Sequence, residues 1–214
     1  MKHLIAVATL VLAAMSAHAQ TPQKPAAECG VEPLGRYTKL TFDEFDQTLG
    51  GGWRVISKKD GCETAAADLI AGYREEMAQH QAKLEWHEAQ VRAAGGDTAK
   101  AIELFRSNVA FEKSVREERR SQDGILYGEA TIAFLENDRA TLEAKRAQLA
   151  AIPKPDGFDE AVAKAYKDKF PNLKPPTWPL NLEVVDGLIR CFGKPYSEAY
   201  GCRTGNRGDA PGVQ

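Results

Sequence analysis

Two stretches of the chain repeat each other, and this constrains the fold more than any other feature. EWHEAQVRAAGGDTAKA, residues 85 to 101, lies over LYGEATIAFLENDRATL, residues 126 to 142, without gaps at an offset of 41. Glu88 meets Glu129, Ala89 meets Ala130, Asp97 meets Asp138 and Ala99 meets Ala140. Trp86 with Tyr127, Val91 with Ile132, Ala94 with Leu135, Gly96 with Asn137 and Ala101 with Leu142 are similar pairs. Each copy of such a repeat is a supersecondary unit that buries its apolar face against the next. The shared frame is a helix with an aromatic anchor near its start and a small alanine a turn later, where a neighbouring helix can approach. A Gly or Asn turn tolerant of left-handed backbone, an Asp cap and a second helix follow. The expectation is helix-turn-helix units at about 85–105 and 126–146 within one α-helical domain spanning 29–202.

Helical signals fill most of the remaining chain. Thr41 with Glu44 fits a capping box ahead of an apolar stripe (Leu40, Phe42, Phe45, Leu49), and Gly50-Gly51-Gly52 stops that helix. Asp60 with Glu63 fits a second capping box, opening a helix that buries Ala66, Leu69, Ile70 and Tyr73; a break near Met77 to Gln81 separates it from the helix bearing Trp86. After Gly95-Gly96-Asp97, Ala101, Leu104, Phe105, Val109 and Val115 mark a buried face. Ser121 to Gly124 reads as a turn, Ile125 to Leu135 and Arg139 to Ile152 as two helices, and Leu135, Leu142 and Leu149 recur at seven. Asp156 is expected to cap Phe158 to Phe170, and Asn181 to cap LEVVDGLIRCF. No segment alternates with period two, so the class is all-α, either a solenoid fragment or an irregular helical bundle.

The ends of the chain speak to compartment. Lys2, the apolar run Leu4 to Met15 and Ala17-His18-Ala19 form the three parts of a signal peptide over residues 1–19, too short to span a membrane. The exported chain is then expected to be periplasmic or secreted and soluble, with a flexible arm at 20–28 and a disordered tail at 203–214. An oxidising destination allows Cys29, Cys62, Cys191 and Cys202 to pair. Cys29 with Cys62 and Cys191 with Cys202 are the favoured bridges because each pair is near in sequence, and each would stabilise by roughly 3 kcal/mol. The cysteine spacing lacks the close pairs of a zinc site.

The formal net charge is −2, and removing Lys2 with the signal leaves 27 basic against 30 acidic side chains. That balance gives no electrostatic reason to expect nucleic acid or insertion into an anionic membrane. The densest basic cluster, Arg116, Arg119 and Arg120, is interleaved with Glu112, Glu117 and Glu118 and reads as a solvated face.

No catalytic, cofactor or metal residues are assigned. His87-Glu88 begins like a zinc-peptidase helix, but position 91 is Val91 where H-E-x-x-H needs histidine. His80 is two turns away, and both histidines read as solvated helix-surface residues. No G-x-S-x-G is present, and the paired carboxylates (Asp43-Glu44, Glu75-Glu76, Glu117-Glu118) are sequence neighbours pointing different ways. Trp53, Trp86 and Tyr127 either fill the core or line a groove, with core packing favoured. Trp178, among prolines, either latches onto the helices or meets a partner.

In GDTAKAIELF, Gly96-Asp97 at a turn and Ala101 and Phe105 four apart resemble the tetratricopeptide-repeat family. Trp86 sits one residue nearer the turn than the family's tryptophan, and Lys145-Arg146 replaces the aromatic in the second copy. The resemblance implies a solenoid fragment whose concave face holds a peptide or protein partner. On that expectation Gln90 and Arg92, with their counterparts Thr131 and Ala133, line the groove, and Trp178 is a further contact. The alternatives are a small helical hydrolase of cell-wall polymer, which would need a deep cleft with a raised-pKa carboxyl, and an inhibitor or immunity protein of an exported toxin.

Overall fold

The structure is a computed structural model that describes residues 22–115, 122–169 and 175–203. The expected signal segment, the cluster Arg116, Arg119 and Arg120, Ser121 of the expected turn, Phe170 and the tail beyond Arg203 lie outside the described residues. Among the described residues there are ten α-helices, one turn of π-helix and no strand. They are α1 (Leu34–Tyr37), a π-turn (Asp43–Gln47), α2 (Arg54–Ser57), α3 (Glu63–Glu76), α4 (Gln81–Ala94), α5 (Thr98–Ser114), α6 (Gln122–Leu135), α7 (Arg139–Ala150), α8 (Phe158–Lys169), α9 (Leu182–Arg190) and α10 (Tyr196–Gly201). None of the helices described is long and apolar enough to cross a membrane.

Helices α3 to α7 pack in sequence, each against the next, while α9 lies on α6 and α7 and α10 folds back to α4. The repeated frame survives in the backbone. Asp97 N–H donates to Arg92 O at 2.9 Å and Asp138 N–H to Ala133 O at 2.8 Å; Gly96 N–H reaches Ala93 O and Asn137 N–H reaches Phe134 O. Each first helix therefore ends in the same Schellman closure, with Gly96 at φ 85° and Asn137 at φ 57° in the left-handed region. Asp97 then caps α5 through Lys100 N–H, and Asp138 caps α7 through Thr141 N–H. The equivalent aromatics meet, Trp86 and Tyr127 ring centroids standing 5.0 Å apart, and Trp86 also packs edge-on against Phe105.

Two apolar clusters result. One runs from Cys29 through Phe45, Trp53, Ile70 and Tyr73 to Leu84 and Val91. The other holds Ala89, Phe105, Tyr127, Phe134, Leu142, Val185 and Tyr200. Helix α4 contributes to both, from opposite faces. Each cluster has its disulfide, Cys29–Cys62 and Cys191–Cys202, so the favoured pairing is the one formed.

Several local expectations are corrected. The Thr41 box forms, Thr41 N–H donating to Glu44 Oε2 at 2.8 Å and Glu44 N–H to Thr41 Oγ1 at 3.3 Å. What it opens is a single wide turn, because Thr48 is already extended. Glycine is obligatory at the close of this turn: Gly52 has φ +52°, and a Cβ there would fall 1.7 Å from Phe45 O. Asp60 does not cap α3; Thr64 N–H donates instead to Gln23 Oε1 at 2.9 Å, from the segment expected to be a flexible arm. Lys24 N–H bonds Gly61 O at 2.6 Å, so from Pro22 on that segment is laid along the start of α3. Asn181 precedes α9 in a left-handed conformation with no side-chain cap. Val115 terminates α5, Leu135 is only half-buried, and α1, α2 and α10 are additions.

Candidate functional site

Histidine 87, expected on the solvated surface, is buried. Position 87 shares a helix face with Leu84 and Val91, and that face packs on the N-terminal cluster, carrying the imidazole to the π-turn. There His87 Nδ1 lies 2.7 Å from Oδ1 of Asp46, whose side chain is wholly buried. Trp53 Nε1–H donates to the same oxygen at 2.9 Å, Gln47 Nε2–H to Oδ2 at 2.5 Å, and Arg54 Nε–H to the Asp46 carbonyl at 2.5 Å. Burial alone would push the Asp46 carboxyl up, but the His87 hydrogen bond and charge, the Trp53 N–H and the Arg54 charge together hold it below its ordinary value. Asp46 is thus an anion acting as acceptor, to which His87 Nδ1–H donates.

His87 also forms part of the wall of a cavity of about 490 Å³. Its other walls are Ala82, Lys83, Trp86 and Gln90 of α4, Asn108 and Glu112 of α5, Gly124 and Tyr127 of α6, and Asn181. The volume lies within the ~300–1,000 Å³ of ordinary small-ligand sites. Asn108 is buried and its Nδ2–H donates to Ala82 O at 2.6 Å, tying α5 to α4 at the cavity. Gln90 Nε2–H reaches the Tyr127 hydroxyl at 3.4 Å. Behind them, the Tyr196 and Tyr200 hydroxyls of α10 lie against Gln90 and Tyr127, though neither attains full hydrogen-bond geometry. Burial raises all three phenols above their ordinary value, Tyr127 well above it, so they remain neutral.

The residues expected to line a groove divide. Gln90 reaches the cavity. Arg92 is instead the centre of an ionic cluster: Nε–H to Glu88 Oε1 at 2.8 Å, Nη2 to Asp68 at 3.0 Å and Nη1 to Asp97 at 3.4 Å. Arg74 of α3 closes it from the other side, on Glu88 at 2.8 Å. Burial would lower the Arg92 guanidinium, but the Glu88 and Asp68 hydrogen bonds and charges raise it. Thr131 is fully buried and its hydroxyl donates to Tyr127 O within its own helix, and Ala133 is core. Trp178 lies elsewhere, as a latch: its Nε1–H donates to Ile152 O at 2.9 Å and its ring meets Phe158 edge-on.

Asp46 and Asn108 were not singled out by sequence, and Glu112, read there as part of a solvated face, is half-buried in the cavity lining. The signal was present in each case as a polar residue on an apolar stripe: Asp46 among Phe42, Phe45 and Leu49, Asn108 among Leu104, Phe105 and Val109, with Glu112 one turn beyond. Among the described residues no group of three or more His, Cys, Asp or Glu is placed to hold a metal ion. A second hollow, about 400 Å³ between α5, α6 and α7, is crossed by Glu129, which binds both Lys113 and Lys145. The chain matches no protein-family model, no curated protein and no solved structure.

Proposed function

We propose that this chain is an exported binding protein with a tetratricopeptide-like helical core, and that the cavity at α4, α5 and α6 holds a segment of a protein or peptide partner. One observation carries the reading: the cavity opens between α4 and α6, the equivalent first helices of the two copies, and equivalent aromatics, Trp86 and Tyr127, form adjoining walls. In a helical repeat, successive first helices are where a concave binding face arises. The disulfides suit export to an oxidising compartment.

Ala82→Trp tests it, since Ala82 is half-buried in the lining and an indole there fills the cavity. The exported chain is expected to capture a stoichiometric partner from an extract of exported proteins, read by mass spectrometry, and the variant to lose it while keeping its helical circular dichroism. Retention at wild-type stoichiometry overturns the reading. A toxin among the captured proteins would make the role inhibitory or protective.

Hydrolysis of a cell-wall polymer is the second reading, favoured by the Asp46–His87 pair beside the cavity. Glycoside cleavage needs a carboxylic acid held protonated. The described carboxyls whose ionisation is shifted, Glu44, Asp46, Glu129 and Asp138, are all shifted downward, which supports binding over this chemistry.

A further inference from the structure

The polar groups around the cavity are oriented unequally. Asp46 accepts from His87 Nδ1–H, and His87 is one wall of the cavity. Asn108 turns its amide nitrogen to the Ala82 carbonyl, a pure acceptor; this fixes the side-chain orientation and leaves Oδ1 facing away from that bond. Gln90 directs its amide nitrogen to Tyr127. Glu112, half-buried in the lining, is acceptor-only as a carboxylate. Trp86 and Tyr127, packed on each other, are the cavity's aromatic walls. Against these stands Lys83, an exposed cation at the rim. Among the described residues the lining contains no Leu, Ile, Val, Met or Phe.

We propose that this cavity recognises an organic cation, an ammonium or guanidinium group, presented by a lysine or arginine side chain of the partner segment. The inference rests on the binding reading above, whose site it specifies. The cation's hydrogens are taken by Asn108 Oδ1 and the Glu112 carboxylate, while its charge lies beside Trp86 and Tyr127. Lys83 opposes entry by like charge, so it tunes affinity downward.

The test uses the full exported chain, isotope-labelled and followed by NMR. The probes are capped tripeptides with a central lysine, arginine, glutamate or leucine, and the free amine agmatine. The lysine or arginine peptide is expected to shift the Trp86 indole and Asn108 side-chain signals and to bind about tenfold or more tighter than the glutamate or leucine peptide. Glu112→Gln should weaken that binding about tenfold, whereas Lys83→Met should tighten it several-fold, a gain that loss of structure does not produce. Equal or tighter binding of the glutamate or leucine peptide, or an unchanged affinity in Glu112→Gln, overturns the cation site and leaves peptide binding standing. Agmatine binding as tightly as the arginine peptide keeps the cation site and removes the peptide as its source. Binding of no probe sinks both.

Discussion

Asp46 shows how a single buried charge is kept: every direction around its carboxylate supplies a donor, from His87, Trp53 and Gln47, with Arg54 beneath. Asp46→Asn presents an amide N–H2 to one of these donors and removes the counter-charge of Arg54. It is expected to cost about 2–4 kcal/mol at neutral pH, measured as a lowered urea midpoint. The pH dependence follows from the sign. The folded-state carboxyl lies below its ordinary value, so its contribution is present above the unfolded value of ~3.9 and is lost as pH falls through the lower folded one. The gap between wild type and Asp46→Asn should therefore narrow between pH 7 and pH 3, and a constant gap would show that charge is irrelevant at this site. At this scale the sequence was partly legible. The polar interruptions of apolar stripes at 46, 87 and 108 mark buried polar sites, but nothing in a linear pattern matches Asp46 to His87, because their contact is made by the packing of α4 on the π-turn. Gln23, which caps α3 in place of Asp60, was hidden for the same reason.

Local rules worked where the decisive partner lies within one turn. The Asp97 and Asp138 caps and the left-handed positions Gly96 and Asn137 follow from residues adjacent in sequence, and the two copies reproduce them bond for bond. They failed at Asp43–Gln47, where a helix-like stripe is drawn into one wide turn by Trp53, Arg54 and His87, and at Asn181, where the left-handed backbone takes the place of a side-chain cap. Because both turns share one geometry, they should respond to the same chemistry. Asn137→Gly removes a Cβ from a left-handed position and is expected to stabilise by about 0.5 kcal/mol, while Gly96→Val should cost about 1–2 kcal/mol, both read by thermal or urea unfolding. The copies diverge at the position where His87 aligns with Gly128. A Cβ on Gly128 would come 2.5 Å from Val109 Cγ2, so α5 and α6 approach at the site that the first copy devotes to its buried imidazole. Gly128→Ala is expected to destabilise by about 1–3 kcal/mol through overpacking, and Gly128→Ala with Val109→Ala to recover most of that.

At the scale of the whole molecule, helix α4 joins two apolar clusters, each with a disulfide, and walls the cavity through Ala82, Lys83, Trp86, His87 and Gln90. The N-terminal cluster is assembled from short pieces, α1, the π-turn and α2, laid against α3 and α4, so its order is expected to depend on covalent closure. The two bridges close loops of different length, with sequence separations of 33 and 11. Loop entropy then assigns roughly 4 kcal/mol to the first and roughly 3 kcal/mol to the second. Replacing Cys29 and Cys62 together by serine should therefore lower the unfolding free energy by more than replacing Cys191 and Cys202. The consequences should also differ in place. Hydrogen exchange in the first variant is expected to accelerate in α1, the π-turn and α2 and at His87, because loss of that cluster frees the imidazole from Asp46. In the second variant it should accelerate in α9 and α10, withdrawing Tyr196 and Tyr200 from behind Gln90. Since only the first change removes the partner that orients His87, cation binding in the cavity should fall further in the Cys29 and Cys62 variant; equal binding in the two would separate the cavity from the N-terminal cluster.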